Sequence, residues 1–175
     1  MSNFAAAGPA LILLSGLPGT GKTTFARALA SVLRFEHVES DAIRRALSPQ
    51  PAYTQAESAA VFARAEQLAA RALDEGRHAL VDSTNLTQQN RKRFMRLAWR
   101  SNATLVSVRL TAPEATVRER LSQPREGWSQ ADNSIFDLMR SRPRPFTSPV
   151  IVVDTRFPLE PSIDLVLRMI NDQEP

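Results

Sequence analysis

The chain has 175 residues, a length typical of one domain. Its 43% hydrophobic and 23% charged residues are usual for a folded globular protein. The sequence contains no cysteine, which excludes disulfides, thiolate metal sites and cysteine nucleophiles within it. A net charge of +4 suits anionic partners but decides little by itself. No apolar run approaches the roughly 20 residues of a membrane span, and no basic segment precedes the first apolar stretch, so we expect a cytoplasmic protein.

Short apolar runs alternate with longer helical patterns, which predicts an α/β fold with a parallel sheet. Strands are predicted at residues 10–15, 37–39, 78–82, 104–110 and 150–153. Because side chains alternate along a strand, Val106, Val108 and Leu110 should share one face. Helices are predicted at residues 22–33, 40–47, 54–76, 87–101, 111–121 and 161–170.

Two of these helices begin with the sequence of a capping box, in which Thr and a Glu three residues later satisfy free amides. The pairs are Thr54 with Glu57 and Thr111 with Glu114. The arginine-rich residues 123–144 have no strand pattern. We interpret them as a lid that contains a short helix.

The residues from Gly16 to Thr23, GLPGTGKT, match the phosphate-loop pattern G-x-x-x-x-G-K-[ST] without a mismatch. Glycines permit the backbone dihedrals that turn amides towards phosphate, and the next helix offers its positive N-terminus. Lys22 should reach the β- and γ-phosphates of ATP, and the Thr23 hydroxyl should bind Mg²⁺. The predicted nucleotide-binding residues of this segment are Gly16, Pro18, Gly19, Thr20, Gly21, Lys22, Thr23 and Thr24.

Asp41 follows the second strand, where it would lie beside the phosphate loop in a doubly wound sheet. A carboxylate there can accept the proton of an attacking hydroxyl, and Arg44, on the same helix face, can hold an anionic group. The alternative is that Ser40 caps the helix and Asp41 complements its dipole.

Asp82 ends the third apolar strand, in the segment Ala79 to Asn85. An acid in this position can hold Mg²⁺, contact the acceptor or act as the base in place of Asp41. A strand-end acid that only caps a turn is an equally good interpretation.

These motifs together resemble the AAA-33-type P-loop kinase family, which is similar to polynucleotide 5′-hydroxyl kinase. Gluconate kinases, chloramphenicol phosphotransferases and zeta-type toxins are more distant relatives. The resemblance rests on the phosphate loop and on the segments DAIR, DSTNL and NR, which begin at Asp41, Asp82 and Asn90. It extends from about residue 11 to 170.

The resemblance implies a role for each matching residue. Asp41 would be the general base, Arg44 would bind or position the acceptor, and Arg91 would support the acceptor site. Asp82 and Asn85 would line that site.

In the lid, Arg120 would lie against the adenine, and Arg125 would neutralise the transferring phosphoryl group. Arg118, Arg140 and Arg142 are alternatives to Arg125.

The resemblance also implies the fold and its architecture. We expect a single P-loop NTPase domain over residues 1–175, similar to nucleoside-monophosphate kinases. Its five-stranded parallel sheet would carry helices on both faces, and a small helical lid would lie at about 123–144.

The sequence therefore predicts a kinase that uses ATP and Mg²⁺ to phosphorylate an acceptor hydroxyl on a small molecule or a nucleic-acid 5′ end. A nucleotide-dependent switch and a zeta-like toxin kinase remain alternatives. The basic helix that carries Arg91, Lys92, Arg93, Arg96 and Arg100 would suit nucleic acid, but a solvated helix face is the preferred interpretation. The acceptor and the oligomeric state stay open.

Overall fold

The structure, a computed structural model, describes residues 8–48, 50–85, 87–123, 132–141 and 145–172. Its strands form one parallel sheet in the order β2-β3-β1-β4-β5. The strands are β1 Ala10–Ser15, β2 Glu36–Glu39, β3 Ala79–Asp82, β4 Thr104–Thr111 and β5 Ile151–Asp154. The predicted α/β fold with five parallel strands is confirmed.

The helices form the crossovers that parallel strands require. They are α1 Lys22–Ala30, α2 Ser40–Leu47, α3 Gln55–Asp74, α4 Gln88–Arg100, α5 Glu114–Ser122, α6 Asn133–Met139 and α7 Glu160–Asn171. The first helix ends three residues earlier than predicted, because the amides of residues 31–33 bond back to Ala28 and Leu29 in a closing turn. In the described part of the chain, no helix has the length and apolarity to cross a membrane.

The central strand β1 is buried on both faces and divides the core into two parts. Ile12 and Leu14 pack with α1 and α7, whereas Leu11 and Leu13 pack with α3 and α4. This alternation follows from the two-residue period of a strand. Val106, Val108 and Leu110 belong to the first of these clusters, as predicted. Helices therefore cover both faces of the sheet.

One predicted capping box is half correct and the other is wrong. Thr54 caps α3 by accepting the amide of Glu57, but the Glu57 carboxylate turns to the amides of Ala52 and Tyr53. Thr111 does not cap α5, because it is the last residue of β4 and its hydroxyl donates to the Val153 carbonyl. The structure places Pro113 at the cap position instead.

Replacing Thr54 by Ala should lower the free energy of unfolding by about 1 kcal/mol, because the amide of Glu57 loses its acceptor. Thr54 is exposed, so little buried surface is lost with it. Urea unfolding monitored by circular dichroism measures the change. Thr54→Ser keeps the acceptor oxygen and should retain most of the stability. Equal losses in both variants would contradict the capping role.

His78 links β1 to β3, since its Nδ1 accepts the Ala10 amide at 2.9 Å. Burial lowers the pKa of His78 below its ordinary value of 6.5. Above pH 6.5 the ring is neutral in both the folded and unfolded chain. Below that pH the unfolded chain binds a proton that the folded chain resists, so folding is penalised as the pH falls.

The free energy of unfolding of the wild type, relative to that of His78→Asn, should therefore fall as the pH is lowered from 7.5 to 5.5, since an amide oxygen can accept from Ala10 without titrating. Urea unfolding of both proteins at the two pH values measures this difference. His37 is common to both, so its own titration cancels. An unchanged pH dependence would show that His78 binds protons equally in both states.

Candidate active site

The loop between β1 and α1 holds a backbone conformation that glycine permits. Gly16 has φ 149°, and a Cβ there would lie 2.6 Å from the carbonyl oxygen of Leu110. The Gly16 amide donates to the Thr84 carbonyl at 3.0 Å, which ties the loop to the end of β3. The side chain of Thr20 donates to the Leu17 carbonyl and closes the turn. The loop is thus fixed by its neighbours before any ligand binds.

The loop brings a cation and a helix terminus together. Lys22 Nζ donates to the carbonyls of Gly16 and Leu17, at 3.1 and 3.2 Å, so its charge lies against the loop. Among the described residues, no side chain caps the N-terminus of α1, whose cap position is the glycine Gly21. The positive end of the helix therefore adds to the charge of Lys22. This arrangement attracts phosphate.

Thr155, just after β5, anchors the loop from the other side. Its hydroxyl donates to the Thr20 carbonyl at 2.9 Å and accepts from Arg120 at 2.8 Å. Arg120 also donates to the carbonyls of Thr155 and Gly19, at 3.1 and 3.4 Å. The sequence indicated Arg120 but did not indicate Thr155 as a contact of the loop. Its part in holding the loop depends on contacts across 135 positions of chain.

Asp82 is the buried carboxylate at the end of β3. Only 4% of it is exposed, and its Oδ2 accepts from Thr23 at 2.9 Å. His37 Nε2 lies 3.4 Å from the same oxygen, and this contact raises the pKa of His37 although burial opposes the shift. The two predicted metal ligands, Thr23 and Asp82, are therefore adjacent. The sequence gave no signal for the contact between His37 and Asp82.

Asn85 and Arg91 lie behind the site. Asn85 is fully buried, and its amide donates to the Leu14 carbonyl at 2.6 Å. Arg91 donates to the carbonyls of Asn85 and Pro145 and stacks on the ring of Phe146. Desolvation lowers the pKa of Arg91. These contacts fix the segment after β3, which fits the expected supporting role of Arg91, while Asn85 is placed under the site.

A cleft of about 490 Å³ opens beside the loop. The predicted nucleotide-binding residues on its wall are Pro18, Gly19, Gly21, Lys22, Thr23, Thr24 and Arg120. Gly16 and Thr20 lie in the loop behind them. Asp41 and Asp82 also line the cleft, together with Glu39, Ser40 and Tyr53. The phosphate loop and both candidate bases thus face one space.

Arg44 forms a largely buried ion pair with Glu57. Its guanidinium donates to Glu57 Oε1 and approaches the Ser58 hydroxyl, and it lies 4.7 Å from the ring centre of Tyr53. Only 10% of the Arg44 side chain and 13% of the Glu57 side chain are exposed. Hydrogen bonding from Arg44 lowers the pKa of Glu57. The pair joins α2 to α3, and Arg44 lies behind the cleft wall that Tyr53 forms.

The described part of the predicted lid is the helix α6. Phe136 packs on Val117 and Leu121 of α5, and Ile135 and Met139 face the cleft. Two of the alternative lid arginines are paired. Arg118 contacts Asp137 and Glu114, and Arg140 contacts the same two carboxylates. Arg125 and Arg142 lie outside the described residues.

The basic helix α4 is partly neutralised. Arg93 and Arg100 both donate to Glu66 of α3, each at 2.8 Å, and Arg91 is buried. Three of its five cations are therefore engaged within the protein, which was not part of the preferred interpretation of a solvated helix face.

A parallel sheet with β1 at its centre, followed by a glycine loop and a helix N-terminus, defines a P-loop protein of the kinase type. The AAA_33 family model, described as an AAA domain, matches residues 11–146. The chain belongs to this family.

Known proteins similar to this chain support the fold. An uncharacterised protein of Mycobacterium tuberculosis is 28% identical over 144 residues, which are 75% of this chain and 29% of that protein. A sugar kinase from Janibacter is similar in structure, with a TM-score of 0.71 and 19% identity, over 93% of this chain and 95% of that one. The APS kinase CysC of M. tuberculosis, in complex with AMPPNP and APS, has a TM-score of 0.67 and 14% identity, over 94% and 98% of the chains.

Gly16→Ala should weaken nucleotide binding by on the order of tenfold or more, because the new Cβ would displace the Leu110 carbonyl or the loop. Titration with a fluorescent ATP analogue measures the affinity. Gly76→Ala is the matched control, since Gly76 also has positive φ but its Cβ would meet no described atom within 4 Å. That control should lose about 1 kcal/mol of stability and bind nucleotide normally. Equal affinities for both variants would exclude the steric argument.

Proposed function

We propose that the chain is an ATP-dependent phosphotransferase that moves the γ-phosphoryl group of ATP to an acceptor hydroxyl. The observation that carries this proposal is that the phosphate loop and Asp41 line the same cleft. A hydroxyl placed between them would have a phosphoryl donor on one side and a carboxylate on the other. The chain belongs to the AAA_33 family, and its fold is similar to that of a sugar kinase. Both findings support phosphoryl transfer as the reaction.

The part of the cleft beside the phosphate loop carries positive charge that would suit a polyphosphate. The Lys22 ammonium and the α1 N-terminus would hold the β- and γ-phosphates, and Arg120 would lie near the base. Ser83 Oγ is buried and has no hydrogen-bond partner among the described residues, although it lines the cleft. A ligand oxygen in the cleft would satisfy it.

The residues present fit a magnesium ion. Mg²⁺ prefers oxygen ligands and is usually held by one or two carboxylates together with substrate phosphates. Asp82 and Thr23 supply such oxygens 2.9 Å apart. Within the described ranges, no group of three or more His, Cys, Asp or Glu side chains could hold a metal alone, so the phosphates would complete the shell. When bound, Mg²⁺ neutralises charge on the phosphates.

Asp41 is the proposed base, since Asp82 Oδ2 is already engaged by Thr23 and His37. The acceptor oxygen forms a bond to the γ-phosphorus while the bond from that phosphorus to the β–γ bridging oxygen breaks. ADP leaves with the electron pair, and the hydroxyl proton passes to Asp41. Because the transition state is loose, positioning and charge neutralisation by Lys22 contribute more than bond making.

Arg125 remains the proposed lid arginine. Arg118 and Arg140 are held by Glu114 and Asp137, so neither is available without breaking these pairs. An arginine that neutralises the transferring group is worth about 10³ to 10⁵ in rate in related chemistry.

Asp41→Asn should lower acceptor-dependent ADP release by about 10² to 10⁴ and leave ATP binding unchanged, because the amide cannot accept the hydroxyl proton. A coupled ADP assay with Mg²⁺ and a panel of nucleosides, 5′-hydroxyl oligonucleotides, sugars and aminoglycosides measures the rate. Asp74→Asn, at the exposed end of α3, is the control and should behave as wild type. ATP hydrolysis that is indifferent to every acceptor and to Asp41→Asn would instead indicate a switch NTPase.

A further inference from the structure

The wall of the cleft formed by the ends of β2 and β3 is rich in carboxylates. Glu39 and Asp41 flank Ser40 at the junction of β2 and α2, and Asp82 ends the neighbouring strand β3. The ring of Tyr53 forms an adjacent part of the wall. An acceptor that approaches Asp41 would therefore meet acidic oxygens, a hydroxyl and an aromatic face.

The arginine that could have held an acceptor anion is already neutralised. Arg44 is nine-tenths buried, its charge is paired with Glu57, and its face lies against Tyr53. Glu57 is held in turn, since its other oxygen accepts the amides of Ala52 and Tyr53 at 2.8 and 3.2 Å. Freeing Arg44 for a ligand would leave the largely buried Glu57 charged and without Arg44, which is unfavourable.

Burial and neighbouring carboxylates act together on two groups in this wall. The pKa of Glu39 is raised, first by burial and then by the charge of Asp82, and the charges of His37 and Arg27 oppose this shift. The pKa of Tyr53 is raised by burial and then by the charge of Asp41, which outweighs the opposing charge of Arg44. Among the described cations that line the cleft, Lys22 and Arg120 contact the loop, and Arg27 belongs to α1.

We propose that the acceptor is a polyhydroxylated alcohol, uncharged or bearing an amine, with no phosphate or carboxylate on the part that enters the cleft. This inference rests on the proposed phosphotransferase function. Asp41 accepts the proton of the reacting hydroxyl, and Glu39 and Ser40 bind neighbouring hydroxyl or amine groups. Tyr53 packs against the carbon face of the acceptor. A phosphate or carboxylate here would meet like charges, which disfavours its binding.

Matched acceptors test the proposal in the full-length chain. Sorbitol is compared with gluconate, glucose with glucose 6-phosphate, and adenosine with AMP, and glucosamine is the amine member. Transfer of ³²P from labelled ATP gives kcat/KM for each acceptor. We expect the uncharged or amine member of every reactive pair to exceed the anionic member by about tenfold or more. A preference for the anionic members would overturn the proposal while the phosphotransferase function stands.

A charge variant adds a second measurement. Glu57→Gln keeps an oxygen for the amides of Ala52 and Tyr53 but leaves the Arg44 charge unpaired, so the ratio of uncharged to anionic acceptor should fall by about tenfold. Glu66→Gln is the matched control, because Glu66 pairs with Arg93 and Arg100 away from the cleft, and its ratio should equal that of wild type. An unchanged ratio in folded Glu57→Gln would contradict the proposal.

The outcomes separate the two proposals. If ATP binds but no acceptor in any pair receives phosphate, the phosphotransferase function fails and this inference fails with it. Thermal unfolding by circular dichroism identifies a Glu57→Gln protein that does not fold, and the wild-type ratios then decide the acceptor class alone.

Discussion

The site depends on a backbone conformation that the chain holds at one turn, between β1 and α1. Gly16, Gly19 and Gly21 all have positive φ there, and the space at Gly16 is closed by the Leu110 carbonyl. Two distant segments fix the turn, since Thr84 accepts the Gly16 amide and Thr155 donates to the Thr20 carbonyl. Because the segments after β3 and β5 supply these contacts, the conformation of the loop depends on both strands being in place.

The same sheet places the two candidate catalytic carboxylates, Asp82 and Asp41, near the loop. Parallel strands present their carboxyl ends at one edge, so Asp82 after β3 meets Thr23 at the start of α1. Strand β2 lies beside β3 and places Asp41, in the first turn of α2, on the wall of the same cleft. Both carboxylates line the cleft, but Asp82 Oδ2 is engaged by Thr23 and His37, and this difference is the reason for the separate roles proposed for them, a metal ligand and a base.

Local patterns predicted the elements and the loop, because a strand period, a helix period and GLPGTGKT each lie within a few neighbouring residues. Local patterns could not predict contacts between side chains that lie far apart in the sequence. They did not indicate that Arg44 pairs with Glu57 of the next helix, whereas its expected role at the acceptor stays a prediction. Thr111 was expected to cap a helix, but its hydroxyl donates a hydrogen bond to the Val153 carbonyl of β5. His37 gave no signal, since its partner Asp82 lies 45 positions away. The order of the strands was not predicted.

Charge separation along the cleft connects these contacts to selectivity. Lys22 and the α1 N-terminus place positive charge at the loop, and Glu39 and Asp41 place carboxylates on the β2 side of the same cleft. In the proposed reaction these carboxylates would disfavour phosphate groups beside them, so the triphosphate of ATP would stay against the loop. The same charges would disfavour an anionic acceptor next to Asp41. The pairing of Arg44 with Glu57 supports this proposal, because an unpaired arginine beside Tyr53 would offset the carboxylate charge.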